Sequence, residues 1–358
     1  MPSSRSALRR PTCLAVLFGV SLLGVPVARA QPTAQGFAVE RLYQSAPGAG
    51  WFVMDALDMR GALGGAFALT SGYASNPLRV SQGSHALDVV SDDAFVGVGF
   101  AVTYDRWRLY LNFDAPLAIE GQSGAVGNTM FVAPGVTPGQ NPDTLSDTRF
   151  GLDVRLLGGP NGAFRLGASA QLYVPIDTQA SYDTDGTYRA MLRALVAGDV
   201  GGWSYAGQLG VHIRPLDDPS TPGSPQGSEL LFGLAAGSRI PLGHDGTVLV
   251  AGPEVFGETA LRAFFGGSTT GVEGLMTARL EGTADDGPQL RLKLGAGGGL
   301  DPQFGAPEWR VVFGLELFNH AGDRDGDGVG DRNDACPDRA GVKTSDPKTN
   351  GCPRIPPL

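Results

Sequence analysis

Residues 323 to 334 read DRDGDGVGDRND, five Asp within twelve positions, followed at once by Ala335, Cys336 and Pro337. Counting Asp323 as the first position, carboxylates fall at 1, 3 and 5 (Asp323, Asp325, Asp327), at 9 (Asp331) and at 12 (Asp334), with Gly328 at 6 and Val329 at 7. That is the spacing of a calcium loop, in which a hard cation collects about six to eight oxygens, a Gly allows the sharp turn and residue 7 offers its carbonyl. The expected ligands of Ca2+ are therefore Asp323, Asp325, Asp327, Val329, Asp331 and Asp334. Asp stands where Glu is usual at position 12 and no helical pattern flanks the loop, so a helix-loop-helix sensor is not expected. A solvated acidic linker would need neither the regular spacing nor the abrupt Cys-Pro end.

Other chemistry finds little support in the sequence. There are four His, of which only His212 falls on an inward strand position, and no G-x-S-x-G nucleophile motif. The expectation is a protein that is not an enzyme.

The elements that carry the loop start with an export signal. Arg5, Arg9 and Arg10 precede an apolar run from Cys13 to Val27, and Ala28-Arg29-Ala30 supplies a cleavage site before Gln31. Gly19, Gly24 and Pro26 break that run, which is short for a helical span of about 20 residues. Removal of residues 1–30 takes away four Arg and no acid, moving the net charge from −9 to −13. So acidic a chain is no partner for nucleic acid. It keeps two cysteines, Cys336 and Cys352, which in an oxidising compartment most simply form one disulfide.

Between signal and tail the dominant pattern is strict alternation. In RFGLDVRLL, Phe150, Leu152, Val154 and Leu156 share one face and Arg149, Asp153 and Arg155 the other. The same period runs through FRLGASAQLYV, WSYAGQLGVHIR and LRLKLGAG. Fourteen such segments are predicted, near 36–45, 50–60, 62–74, 92–104, 107–117, 147–157, 164–174, 188–199, 203–214, 228–240, 247–258, 271–282, 289–299 and 309–318. Short connections near Gly61, Asp105, Asn161, Gly201, His244 and Asp285 alternate with mostly longer polar ones. The reading is all-β: a transmembrane antiparallel up-and-down β-barrel of fourteen strands over residues 31–320, short turns periplasmic, in the outer membrane of a Gram-negative bacterium. The first two segments alternate poorly, which leaves twelve strands as the alternative. A soluble sandwich would also alternate, but the aromatics gather at segment ends (Trp51, Tyr73, Tyr104, Trp107, Phe164, Tyr188, Trp203, Trp309, Phe318), as in an interfacial girdle.

If the apolar faces meet outer-membrane lipid, charges line the lumen. The expected set is Arg149, Arg155, Arg165, Arg189 and Arg193 from one part of the meander and Glu229, Glu254, Glu258, Glu273 and Glu281 from another. Two consequences stay open: a transverse field across a water-filled pore, or a closed lumen stitched by Arg-Glu pairs.

The motif D-x-D-x-D-G-x-x-D-x-x-D-x-C-P, carried by Asp323, Asp325, Asp327, Gly328, Asp331, Asp334, Cys336 and Pro337, resembles a thrombospondin type 3 repeat. With NGCP at residues 350 to 353 it is similar to the linker of OmpA-family outer-membrane proteins, and GSELLFGLAAG, VAGPE and FFGGSTTGVEGL resemble that family's barrels. The resemblance implies a calcium-stiffened periplasmic tail over residues 321–358. In that family a peptidoglycan-binding domain normally follows the second Cys-Pro; this sequence runs only to Leu358, so wall anchoring is not implied. Implied partners are the outer-membrane assembly machinery, for which WRVVFGLELF resembles the recognised terminal strand, and a periplasmic or cell-wall partner at the tail. The expected role is structural or passive permeation, against two alternatives: a selective solute porin, or an adhesin or receptor that uses the long loops.

Overall fold

A computed structural model describes residues 32–34, 36–59, 63–135, 145–177, 179–217, 221, 223–242, 247–282, 287–301, 305–320, 325, 327 and 329–354. The expected signal peptide, the turns at Gly61, His244 and Asp285, and Asp323 lie outside the described residues.

The strands are β1 (Gly64–Gln82), β2 (His85–Tyr104), β3 (Trp107–Glu120), β4 (Gly124–Val126), β5 (Thr129–Phe131), β6 (Thr148–Leu157), β7 (Arg165–Val174), β8 (Arg189–Val200), β9 (Trp203–Ile213), β10 (Glu229–Leu242), β11 (Thr247–Ala260), β12 (Thr270–Glu281), β13 (Gly287–Asp301) and β14 (Trp309–His320). All but β4 and β5 form one closed antiparallel barrel of twelve strands, sealed where β1 pairs with β14 from Gly65↔Asn319 to Ser75↔Trp309. Closure joins the first strand to the last, so along the closed part of the wall the amides find a neighbouring strand where lipid offers none. β4 and β5 make a separate small hairpin within the β3–β6 connection.

Side-chain burial alternates along the wall as the period-two pattern requires. On β6, Arg149, Gly151, Asp153 and Arg155 are buried while Phe150, Leu152 and Leu156 are exposed. Exposed Leu109, Leu172, Leu192, Leu209, Leu234 and Leu294 continue the apolar exterior around the cylinder. Tyr104, Trp107, Phe164 and Trp203 are exposed near the short turns and Tyr188 and Trp309 near the long loops, two aromatic levels that bracket the apolar band. An outside this apolar, on a sheet with no edges, is built for lipid.

The expected count of fourteen is corrected to twelve. Segments 36–45 and 50–60 are not wall strands: residues 36 to 59 are irregular chain and almost all buried. Two reasons are visible. Gly48 and Gly50 hold positive φ (81° and 94°), which breaks an extended run. And Trp51, Phe52, Val53 and Met54 are apolar in succession, with no polar face to turn toward a lumen. Trp51, expected in the girdle, is buried in this segment, and Phe318 also points inward, under Arg291. A second correction concerns the first hairpin. The interval 75–91, expected as a loop, is strand: β1 and β2 run 19 and 20 residues, shift register between Ser75 and Leu78, and turn at Gly83.

Candidate functional site

The interior of the barrel is where the side chains converge. The described N-terminal segment lies at the long-loop end, where Thr33 bridges Met130 of β5. It then descends through the lumen toward the short-turn end, where β1 starts.

Each stretch of this descending plug meets charges from the wall or loops. Near the top, the Ala38 amide donates to Asp185 in the β7–β8 loop (2.9 Å). Arg41 pairs with Glu229 (3.2 Å) and Glu258 (3.1 Å), and Glu40 with Arg310 (2.7 Å), which also holds Glu273 (2.7 Å). Halfway down, the Glu254 carboxylate accepts the amides of Phe52 (2.9 Å) and Val53 (3.0 Å). Arg279 lies over the Trp51 ring (4.3 Å) and Lys293 over Phe52 (5.0 Å). At the bottom, Arg108 grips Asp55 (2.7 Å) and Asp58 (3.2 Å), and Arg155 donates to the Met59 carbonyl (2.8 Å).

Space for the plug comes from glycine. A Cβ at Gly233 would stand 2.3 Å from Met54 Cε; at Gly167 it would meet Leu57 Cδ2 at 2.7 Å, and at Gly237 the Trp51 ring at 2.9 Å. A Cβ at Gly295 would come within 3.1 Å of the Phe52 ring, and one at Gly314 within 3.4 Å. The plug core of Trp51, Phe52, Val53, Met54, Leu57 and Met59 packs with lumen-facing Leu195, Val250, Phe256, Leu275 and Val312. A second apolar cluster, with Phe37, Val39, Leu78, Val80, Val89, Ile119, Phe131 and Tyr182, lies at the long-loop end.

All ten expected lumen charges, Arg149, Arg155, Arg165, Arg189, Arg193, Glu229, Glu254, Glu258, Glu273 and Glu281, are buried. Their partners differ from the expected Arg-Glu pairing across the lumen. Arg149 donates to the Gln44 carbonyl, Arg165 pairs with Asp199 and Arg189 with Asp147, and Arg193 donates to Gln208 and Ser169. The glutamates are instead served by Arg41, Arg214, Arg310, Arg279 and Arg291, or by plug amides. Of these, Arg291 and Arg310 sit on the same period-two face as the predicted set, so the alternation could have found them. Arg41 carried no such signal. In the β7–β8 loop, burial would raise the Asp185 carboxyl, but Arg214 at 2.6 Å outweighs it and holds that group well below the usual range. Among the described residues Asp183 has no such guanidinium partner, and burial raises its carboxyl to about 7.

His212 is fully buried between the rings of Tyr43 and Tyr173, with Nδ1 3.4 Å from Glu229.

In the tail, one carboxylate oxygen each from Asp325, Asp327 and Asp334 lies within 4.8 Å of the others. Asp331 opens a 3-10 turn, Asp331–Asn333, and is not in that trio, and Val329 is buried. The loop is pinned by the Val329 and Gly341 amides donating to Asp327 (both 2.8 Å) and by the Cys336–Cys352 disulfide. Asp334 Oδ1 accepts the Cys336 amide, while its Oδ2 is buried with no hydrogen-bond partner among the described residues. A hard-oxygen trio with one orphaned carboxylate oxygen fits Ca2+.

No protein-family model and no curated protein matches the chain. Among solved structures it is similar to an outer-membrane channel from Pseudomonas putida F1 (TM-score 0.43, 15% identity, 73% of this chain and 95% of that one). The NanC porin is also similar (TM-score 0.41, 7% identity, 71% and 99%), as is LpxR from Salmonella typhimurium (TM-score 0.35, 11% identity, 70% and 99%). The barrel itself is shown by the strand register and the apolar exterior.

Proposed function

We propose that this chain is an outer-membrane β-barrel of a Gram-negative bacterium whose lumen is kept shut by its own N-terminal segment, and that its role is structural, with passive permeation only when that segment moves. The observation that carries the reading is the descent of residues 36–59 through the barrel, with wall charges meeting it from Asp185 at the top to Arg155 at the bottom. A stably open pore would leave those charges to water. The enclosure of His212 supports a non-catalytic role. Single-channel recording of the full chain in planar bilayers tests the reading: long closed intervals are expected, and a steady wide conductance would overturn it. Membrane fractionation with heat-modifiable gel migration tests the location.

We further propose that the tail lies in the periplasm, carries Ca2+ on Asp325, Asp327 and Asp334, with Asp323, Asp331 and the Val329 carbonyl completing the set, and presents a stiffened surface to a periplasmic or cell-wall partner. Support comes from the likeness to a thrombospondin type 3 repeat and an OmpA-family linker, and from the barrel's β1 and β14 ends lying with the short turns. The bound ion would cancel carboxylate repulsion and rigidify the loop. Delivery of the barrel by the outer-membrane assembly machinery belongs to the same reading.

A further inference from the structure

At the long-loop end, plug and wall leave a cavity of about 80 Å3 between residues of the plug, β2, β3 and the β7–β8 loop. Its charges do not balance. Glu40 is matched by Arg310 and Asp147 by Arg189. That leaves three carboxyl groups, Asp93, Asp114 and Asp183, facing the cavity with Arg149 as the remaining guanidinium. Asp93 is only 7% exposed, lines the cavity, and takes no hydrogen bond or ion pair among the described residues. Asp183 Oδ2 is likewise buried with no hydrogen-bond partner. A buried carboxyl in that position either keeps its proton or is answered by a cation, and a bound cation favours the charged form.

The class of cation follows from the spacing and the walls. A bare divalent metal draws oxygens to about 2.3–2.6 Å, so its carboxylates must converge. Among the described residues three carboxylates converge within 4.8 Å in the tail, and those of this cavity form no such group. Tyr43 and Phe95 give the cavity an aromatic and apolar side suited to an alkyl chain or an ammonium face. We propose that this cavity binds an aliphatic diamine, one ammonium group taken by Asp93 and Asp183, the other by Asp114, and the chain lying against Tyr43 and Phe95. The inference rests on the filled lumen, because Tyr43 comes from the plug.

Calorimetric titration of the full chain in detergent micelles with putrescine tests it, with calcium held in excess so that the tail is saturated. Saturable binding is expected, about ten-fold or more weaker for butylamine and for the Asp93→Asn variant. Asp105→Asn, in an exposed turn at the opposite end, leaves it unchanged. Heat-modifiable migration reports the fold of each variant, and should Asp93→Asn not fold, Asp114→Asn and Asp183→Asn carry the same expectation. No saturable binding of either amine, or binding indifferent to these substitutions, would overturn the proposal. The measurement does not involve conductance, so its failure leaves the closed-barrel reading standing, and an open channel would not by itself produce a negative titration.

Discussion

Glu254→Ala would test whether the plug is held by the wall or merely trapped in it. Glu254 is fully buried on β11, and its two oxygens accept the Phe52 and Val53 amides at 2.9 and 3.0 Å. Hydrogen bonds to a charged group contribute about 1.5–3 kcal/mol each, so losing both removes up to about 3–6 kcal/mol from the docked plug. Relief of the carboxylate's own desolvation offsets part of this, which makes the figure an upper bound. At about 1.4 kcal/mol per factor of ten, the undocked population rises by roughly two to four orders of magnitude. Glu254→Gln keeps one acceptor and should give about half the free-energy change. The assay is labelling of Ala49→Cys, at a fully buried plug position, by a membrane-impermeant maleimide in intact proteoliposomes. Labelling should be slow in the otherwise unchanged chain and faster in the order Glu254→Gln, then Glu254→Ala. Equal rates in all three, with gel migration showing folded barrels, would refute the idea that these bonds hold the segment in place.

Gly233→Leu should also release the plug, since even a Cβ there crowds Met54, and adding Met54→Ala should restore slow labelling by vacating the space. The β7–β8 loop should resist protease better at pH 5 than at pH 8. With the Asp183 carboxyl raised to about 7, above its unfolded value near about 4, the folded loop keeps a proton that the unfolded one releases. Its stabilisation is thus full below about pH 4 and lost as pH rises through about 7, and Asp183→Asn should flatten the profile. Chelation of calcium should speed proteolysis of the tail without altering heat-modifiable migration of the barrel, and Asp334→Asn should make the tail indifferent to the chelator.

Much of the wall was legible because lipid and lumen impose opposite demands on successive residues. The period-two pattern in RFGLDVRLL separated Arg149 from Phe150 without any knowledge of the fold, and the structure buries the first and exposes the second. The plug was not legible in the same way. Its residues answer to an interior that is polar at Glu254 and apolar at Val250, four positions apart on one strand, so no simple period survives in the segment that packs there. GWFVM was a clue, apolar on both sides of any strand, as were the inward glycines at 167, 233, 237, 295 and 314. The extension of the first hairpin was hidden by Asn76-Pro77, which reads as a loop and here accompanies a register shift within a continuing strand. Pairing of the lumen charges was out of reach, because Arg41 lies in 36–45, a segment expected in the wall rather than in the plug that it joins.

The bridge between Thr33 and Met130 has a consequence for assembly. A segment tethered at the far mouth, and joined to a wall whose seam is β1 against β14, cannot be pushed in after the ring has shut without drawing Thr33 through the full thickness of the cylinder. Centre and circumference must therefore be completed together, residues 36–59 being wrapped by the last strand to arrive. A lesion along that seam would then show itself first as a misplaced interior rather than as a leaking wall.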